Sequence, residues 1–355
     1  MKTGEKILLI GAVPPPIGGA AIWMKNYQEI LLDKKIQFDF VDTSLIGKRA
    51  INVGSKWRLF TEIKRAKKIF QNTKKLIKSN TYSLAHFNIN CSKSGTIRDY
   101  LVAKEIKKSG IRVFLHCHCN VSDQIGDSKI STLYLKKLFN LADKIFVLNK
   151  ESKEYCNALG FDNSFIVPNF INSNQISTGH AINETIKKAL FLGHVKKTKG
   201  IVEFLDCASK FKDITFLIAG QETDDFPLTK LLKQTCFKNV KYLGNVDHEN
   251  IFKLLDEADV FLFPSYTEGF SLSLLEAMAR GVPIIATNVG ANEEMLSDNC
   301  GYLIKAKDCH SLSEKLADYI SDKQMRATHS FNAIKKAREL YSSEAIITLM
   351  MQLYD

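Results

Sequence analysis

Glu268 and Glu276 stand with seven residues between them inside FPSYTEGFSLSLLEAMARGVPIIATNVGANEE, residues Phe263–Glu294. The residue types around them define a place for an anion. An apolar run, Val260–Phe263, reads as a strand that stops at Pro264, and Ser265–Phe270 read as a loop. A helix is predicted over Leu272–Arg280, with Ser271 as its N-cap and Gly281 as its stop. In a parallel α/β sheet that order sets a helix N-terminus at the carboxyl edge. There the free N–H groups of Gly269, Phe270, Ser271 and Leu272, together with the helix dipole, favour a phosphate or sugar oxygen. Glu268 falls at the mouth of this turn, and Glu276 lies one to two turns into the helix, able to point back to the same crevice. The plainer reading of both is a solvated loop charge and a solvated helix charge.

Two further stretches carry groups with chemical potential. Strand Ile7–Ile10 runs into GAVPPPIGGAA, where Gly18 and Gly19 precede a helix beginning near Ala21. Glycines let a backbone come close to a ligand. The pair lacks the spacing of a dinucleotide fingerprint, so a structural turn is the alternative. In IRVFLHCHC, residues Ile111–Cys119, period-two alternation sends His116 and His118 to one face and Cys117 and Cys119 to the other, which excludes a single zinc ion held by all four.

These groups need a scaffold, and the hydrophobic pattern supplies one. Short apolar runs alternate with helical stretches: KILLIGAV, SLAHFNI, IRVFLHC and KIFVLN, then KALFLGHV, ITFLIAG, ADVFLFPS and VPIIAT. Buried strands alternating with helices make parallel sheets covered on both faces. The 355 residues exceed one ordinary core. The polar stretch PNFINSNQISTGHAINET separates the two series and reads as a linker. The expected domains are therefore 1–170 and 185–335, with 336–355 as a terminal helical segment.

Charge divides along the same boundary. Residues 1–170 hold 28 Lys+Arg against 14 Asp+Glu, a net of +14; residues 171–355 hold 21 against 24, a net of −3. A polyanionic partner of the first domain is implied. The segment Lys56–Lys78 carries nine Lys/Arg and one Glu, with Trp57, Phe60, Ile63, Phe70 and Ile77 spaced along one helical face. A basic amphipathic helix of this kind lies on an anionic membrane surface; the alternative is a surface helix packed on its own sheet. Nucleic acid is not expected, since no recognised motif or interleaved exposed aromatics accompany the charge. The apolar run at the start, Ile7–Val13, is too short for a secretory core or a membrane span, and eight scattered cysteines read as reduced thiols, so a cytoplasmic protein is expected.

The stretch PSxxEGFxLxxLEAMAxGxPIIAT, with Glu268 and Glu276 in place, resembles the signature of retaining glycosyltransferase family 4 over about thirty residues. The resemblance implies the GT-B fold, two Rossmann-like domains facing each other across a cleft, and a nucleotide-sugar donor held by the second. It gives Glu268 contact with the donor sugar and Glu276 the ribose hydroxyls. It sets Gly18 and Gly19 against the donor diphosphate and acceptor. ALFLGHVKKTKGIVEFL is similar to the family's phosphate-binding segment, which assigns Gly193 and Lys199 to the donor. His194 stands where the family carries Arg, exchanging a permanent bidentate cation for a mostly neutral ring. His118, or as runner-up His116, is matched to a histidine beside the donor sugar, so His118, Glu268 and Lys199 are the expected catalytic groups. The final helices are expected to cross back to the first domain, with a plain terminal helix as the alternative.

Cleaving a sugar–diphosphate bond builds negative charge on the leaving phosphate, and the chain has no Asp-x-Asp to hold a metal for it. The helix N-terminus and Lys199 are the remaining devices, so no metal and no cofactor are expected. The implied function is retaining transfer of a sugar to a saccharide or lipid-linked acceptor, at the inner face of the membrane. Two other readings stand beside it: a non-catalytic nucleotide-sugar-binding partner subunit, and another enzyme on the same fold such as an epimerase.

Overall fold

The computed structural model describes residues 6–15, 18–45, 59–89, 91–125, 128–235 and 237–355. The chain divides into two compact units, residues 1–169 with 346–355, and residues 170–345. Lys56 and Trp57 of the basic segment, and Pro16 and Ile17 of the first glycine loop, lie outside the described residues.

The first unit is built on six parallel strands: β1 Ile7–Gly11, β2 Phe38–Asp42, β3 Leu84–Ile89, β4 Arg112–Cys117, β5 Lys144–Val147 and β6 Ser164–Ile166. Their order across the sheet is β2-β1-β3-β4-β5-β6. The second unit repeats the plan with β7 Lys188–Leu192, β8 Thr215–Ala219, β9 Val240–Gly244, β10 Val260–Phe263, β11 Ile284–Thr287 and β12 Tyr302–Ile304, in the order β12-β11-β10-β7-β8-β9. Strands such as β3 and β10 are buried along their whole length, as sheets covered on both faces require.

Each sheet has one place where the chain reverses its direction of travel. In the first, connections leave β1 to one side and continue from β3 to the other; in the second, the reversal falls between β7 and β10. Loops leaving the carboxyl ends of strands at such a point diverge and leave a crevice for ligand.

One face of the first sheet is covered by helices Leu59–Ser79, Lys93–Lys108 and Lys129–Phe139, whose Ile69, Val102, Ala103, Ile106, Leu135 and Leu138 pack with Leu8, Phe87, Val113 and Ile145. The apolar stripe read along Lys56–Lys78 does not stay on one side. Phe70 and Ile77 pack against the core, whereas Phe60 and Ile63 are exposed. Ile69, Thr73 and Leu76 set the core direction, and at about 100° per residue Phe60 falls on the opposite side of the helix.

The opposite face holds Trp23, Met24 and Tyr27 of helix Gly19–Asp33, and the C-terminal Tyr354. Tyr354 is fully buried; its hydroxyl lies 2.8 Å from the Tyr27 hydroxyl and 2.8 Å from His86 Nδ1. His86 Nε2 in turn lies 2.9 Å from Asn88 Oδ1, so Nε2 carries the proton and Nδ1 accepts from Tyr354. Tyr354→Phe leaves this chain broken in a dry core and is expected to cost about 1–3 kcal/mol, read as a lowered midpoint in chemical denaturation.

The stretch read as a linker is not loose chain. Ile171 pairs with Ser342, the Gln175 carbonyl accepts from Arg280 at 3.1 Å, and the Asn183 and Glu184 carbonyls accept from the buried Arg326 at 2.8 and 3.1 Å. Arginine side chains of the second unit thus satisfy its backbone carbonyls. Helix Lys323–Leu340 also stays with that unit, and residues assigned to the first unit resume only at Ile346, later than the expected 336.

Candidate functional site

Loops from β7 and β10 meet at the reversal point of the second sheet. After β10, Pro264–Ser271 lead into helix Leu272–Arg280, where Ser271 Oγ accepts from the Leu274 amide at 3.3 Å and Gly281 closes the helix at φ 71°. The helix starts and stops where the residue types placed it. Glu276 is buried on it, as are Phe270 and Ser271.

The loop after β7 faces this one. Gly193 extends β7, its amide donating to Ala219 O at 3.0 Å, and His194 follows as an exposed residue. Burial of its ring atoms, then the charges of Lys196 and Lys199, hold the His194 imidazole below its usual basicity. Lys199 is paired directly with the Glu268 carboxylate, with both side chains largely shielded from solvent, and its ammonium lies 5.8 Å from the Phe263 ring centre.

Backbone contacts lock the two loops together. The Tyr266 amide donates to Thr198 O at 2.9 Å, while from the end of β11 the Thr287 side chain holds the second loop, its Oγ1 donating to Ser265 O at 2.5 Å. Gly200, at φ 76°, passes so close to Pro264 that a Cβ would sit 2.0 Å from its carbonyl oxygen. Gly290, at φ 55°, comes equally close to the carbonyl of Glu268. Only glycine fits at either position. From below, the Tyr266 hydroxyl donates to the buried Glu203 at 2.7 Å, and burial followed by that carboxylate raises the Tyr266 hydroxyl to about 12. Sequence reading missed Glu203 and Tyr266, because a carboxylate on a helix gives no sign of turning inward until the loop that needs it is in place.

Gly18, Gly19 and His118 belong to the first unit and form a separate group. Gly18 is the N-cap of helix Gly19–Asp33, which begins two residues before Ala21; its carbonyl accepts from the Ala21 and Ile22 amides at 3.0 and 2.9 Å. Its backbone is extended and a Cβ there meets nothing within 4 Å. Gly18→Val is therefore expected to leave thermal stability unchanged while lowering turnover by about tenfold or more if the open space admits substrate; unfolding scans and initial rates run on the same preparation check both halves.

His118 follows β4, its amide donating to Ile89 O at 2.9 Å. Its ring packs 4.1 Å from His116 and 4.9 Å from Trp23. Burial, then the neighbouring His86, pushes it down to about 3. Its nitrogens make no well-formed hydrogen bond, although the Asn169 amide stands close enough to favour the charged form. His116 is fully buried with Nε2 3.2 Å from Val167 O. Cys117 and Cys119 pack into the core on the other side of the sheet. Among the described residues, no three His, Cys, Asp or Glu side chains converge as metal ligands.

Two parallel sheets, each with a crevice at its reversal point, define the GT-B class of fold. Sucrose-phosphate synthase from Thermosynechococcus elongatus superposes with a TM-score of 0.80 at 19% identity, covering 99% of this chain and 98% of that one. The HepE protein of Anabaena, solved with UDP, gives 0.72 at 16% identity, covering 98% of each chain. Residues 172–336 match the family described as glycosyl transferases group 1. The N,N'-diacetylbacillosaminyl-diphospho-undecaprenol alpha-1,3-N-acetylgalactosaminyltransferase of Campylobacter jejuni is 30% identical over 243 residues, 64% of this chain and 63% of that one. The chain spans between 45% and 63% of the length of the first three curated relatives it matches.

Proposed function

We propose that the protein is a retaining, metal-independent glycosyltransferase. It moves a sugar from a nucleotide-diphosphate sugar to a saccharide or lipid-linked acceptor, for cell-surface polysaccharide or glycan synthesis. The Lys199–Glu268 pair at the start of helix Leu272–Arg280 carries this reading, since it sets a cation and a carboxylate beside a helix N-terminus. Lys199 and the amides of Gly269–Leu272 take the charge that develops on the leaving diphosphate. Glu268 turns to the sugar hydroxyls, and Glu276 to the ribose. The acceptor attacks from the face the leaving phosphate departs, and that phosphate takes its proton, so no residue forms a covalent intermediate. Gly18 and Gly19 keep room for diphosphate and acceptor, and the neutral His118 offers a ring nitrogen to the sugar.

Support for the acceptor class comes from the diphospho-undecaprenol in the Campylobacter relative's name, and for the donor from the UDP in the HepE crystals. The +14 of residues 1–170 supports placement at the inner face of an anionic membrane, the protein being cytoplasmic. No helix among the described residues is long and apolar enough to cross a membrane. The test is release of nucleotide from a panel of nucleotide sugars with lipid-linked acceptors; a chain that binds donor yet releases none under every pairing is the partner subunit instead.

His194 is the observation that favours that second reading. Burial, then the charges of Lys196 and Lys199, lowers the basicity of its ring, so it meets the donor as a weak partner. A bound diphosphate favours the protonated form, and donor affinity is expected to weaken as pH rises through the histidine range. His194→Arg removes this pH dependence and raises kcat/KM by about three- to tenfold; a pH series of kcat/KM for both proteins checks it.

A further inference from the structure

Helices Leu59–Ser79, Lys93–Lys108 and Lys129–Phe139 lie side by side on one face of the first sheet, and their outward surfaces share one unusual composition. Together they hold fifteen Lys/Arg against three Asp/Glu, a net of +12, more than the +11 of the entire chain. Among the described residues twelve large apolar side chains are exposed, and six of them stand on these helices: Phe60, Ile63, Ile97, Leu101, Ile130 and Leu133. They sit on the outermost stripe of each helix. Ile97 and Leu101 run in line with Lys104 and Lys108, and Ile130 and Leu133 with Lys137.

We infer that the three helices form one docking surface for an anionic lipid bilayer, the apolar side chains entering the headgroup boundary while the surrounding lysines meet lipid phosphates. This rests on the membrane placement proposed above, and enlarges it from a single basic helix to a face with Ile97, Leu101, Ile130 and Leu133 as further anchors. Composition selects the occupant. Nucleic acid would use the lysines but has no use for exposed Ile and Leu, and a protein interface depletes lysine from its centre. A bilayer surface takes both at once.

The experiment is flotation of the full chain with vesicles of phosphatidylcholine alone or mixed with phosphatidylglycerol. The wild type is expected to float only with the anionic vesicles, less so as salt rises. The quadruple variant Ile97→Ser, Leu101→Ser, Ile130→Ser, Leu133→Ser keeps its thermal midpoint and its affinity for nucleoside diphosphate but loses about tenfold or more of its vesicle partition. Should that variant float like wild type while Lys64→Gln, Lys67→Gln, Lys74→Gln does not, the three-helix surface is refuted and the single basic helix stands. Failure of the wild type to float refutes both. Tight binding of duplex DNA, or a concentration-dependent dimer abolished by the quadruple variant, also overturns the inference.

Discussion

Lys199→Ala is expected to lower kcat/KM by on the order of 10³-fold, about 4 kcal/mol of transition-state stabilisation. The ammonium is paired directly with Glu268 in the loop that leads into the helix start, where the leaving diphosphate develops its charge. Glu268→Ala is expected to cost a similar factor. Because the two side chains pair with each other, removing both costs far less than the product of the single losses. Lys199→Arg restores part of the rate, since charge is retained but reach and shape change. Steady-state kinetics on the four proteins checks this; equal rates in wild type and Lys199→Ala would remove the lysine from the chemistry.

The second large effect is on stability. His86, His116 and His118 are packed ring to ring in the first unit, and burial holds all three below the ordinary histidine range, His86 and His118 at about 3. Their folded pKa is depressed, so the folded state refuses protons that the unfolded chain takes up below its own value of about 6.5. The stabilisation is whole above about pH 6.5 and is lost as pH falls from there towards 3. Each ring contributes a slope of about 1.4 kcal/mol per pH unit, and three together about 4. Denaturant midpoints measured between neutral and mildly acid pH check it. His86→Phe is expected to flatten the slope by about a third, whatever it does to stability at neutral pH.

Much of this was legible in the residues, for a reason visible in the sheets. The eight apolar runs read as strands are the eight interior strands, which must be apolar on both faces. The four that were missed, β2, β6, β9 and β12, are the four sheet edges, half-exposed, such as Val240–Gly244 with alternating exposure. The helix Leu272–Arg280 was legible because a cap, an apolar stripe and a terminal glycine are all local signals. Direct pairing of Lys199 with Glu268 was not. It depends on β10 returning to lie beside β7, a non-local fact that no spacing along the chain encodes. How the stretch between the two series is held was not legible either, because the arginines that donate to its backbone carbonyls, Arg280 and Arg326, lie far along the chain and leave no local signal. The basic helix was misread in part because its apolar residues were assigned to one face, whereas Phe60 lies on the side opposite Ile69 and Leu76 and is exposed.

The claim on which the account rests is that the helix start after β10 grips a nucleotide. Calorimetric titration of the intact chain with UDP, GDP and ADP tests it most directly, alongside Glu276→Ala and Lys199→Ala. One diphosphate is predicted to bind the wild type, with affinity reduced about tenfold or more in each variant. Absence of binding by all three, or unchanged affinity in both variants, would contradict it.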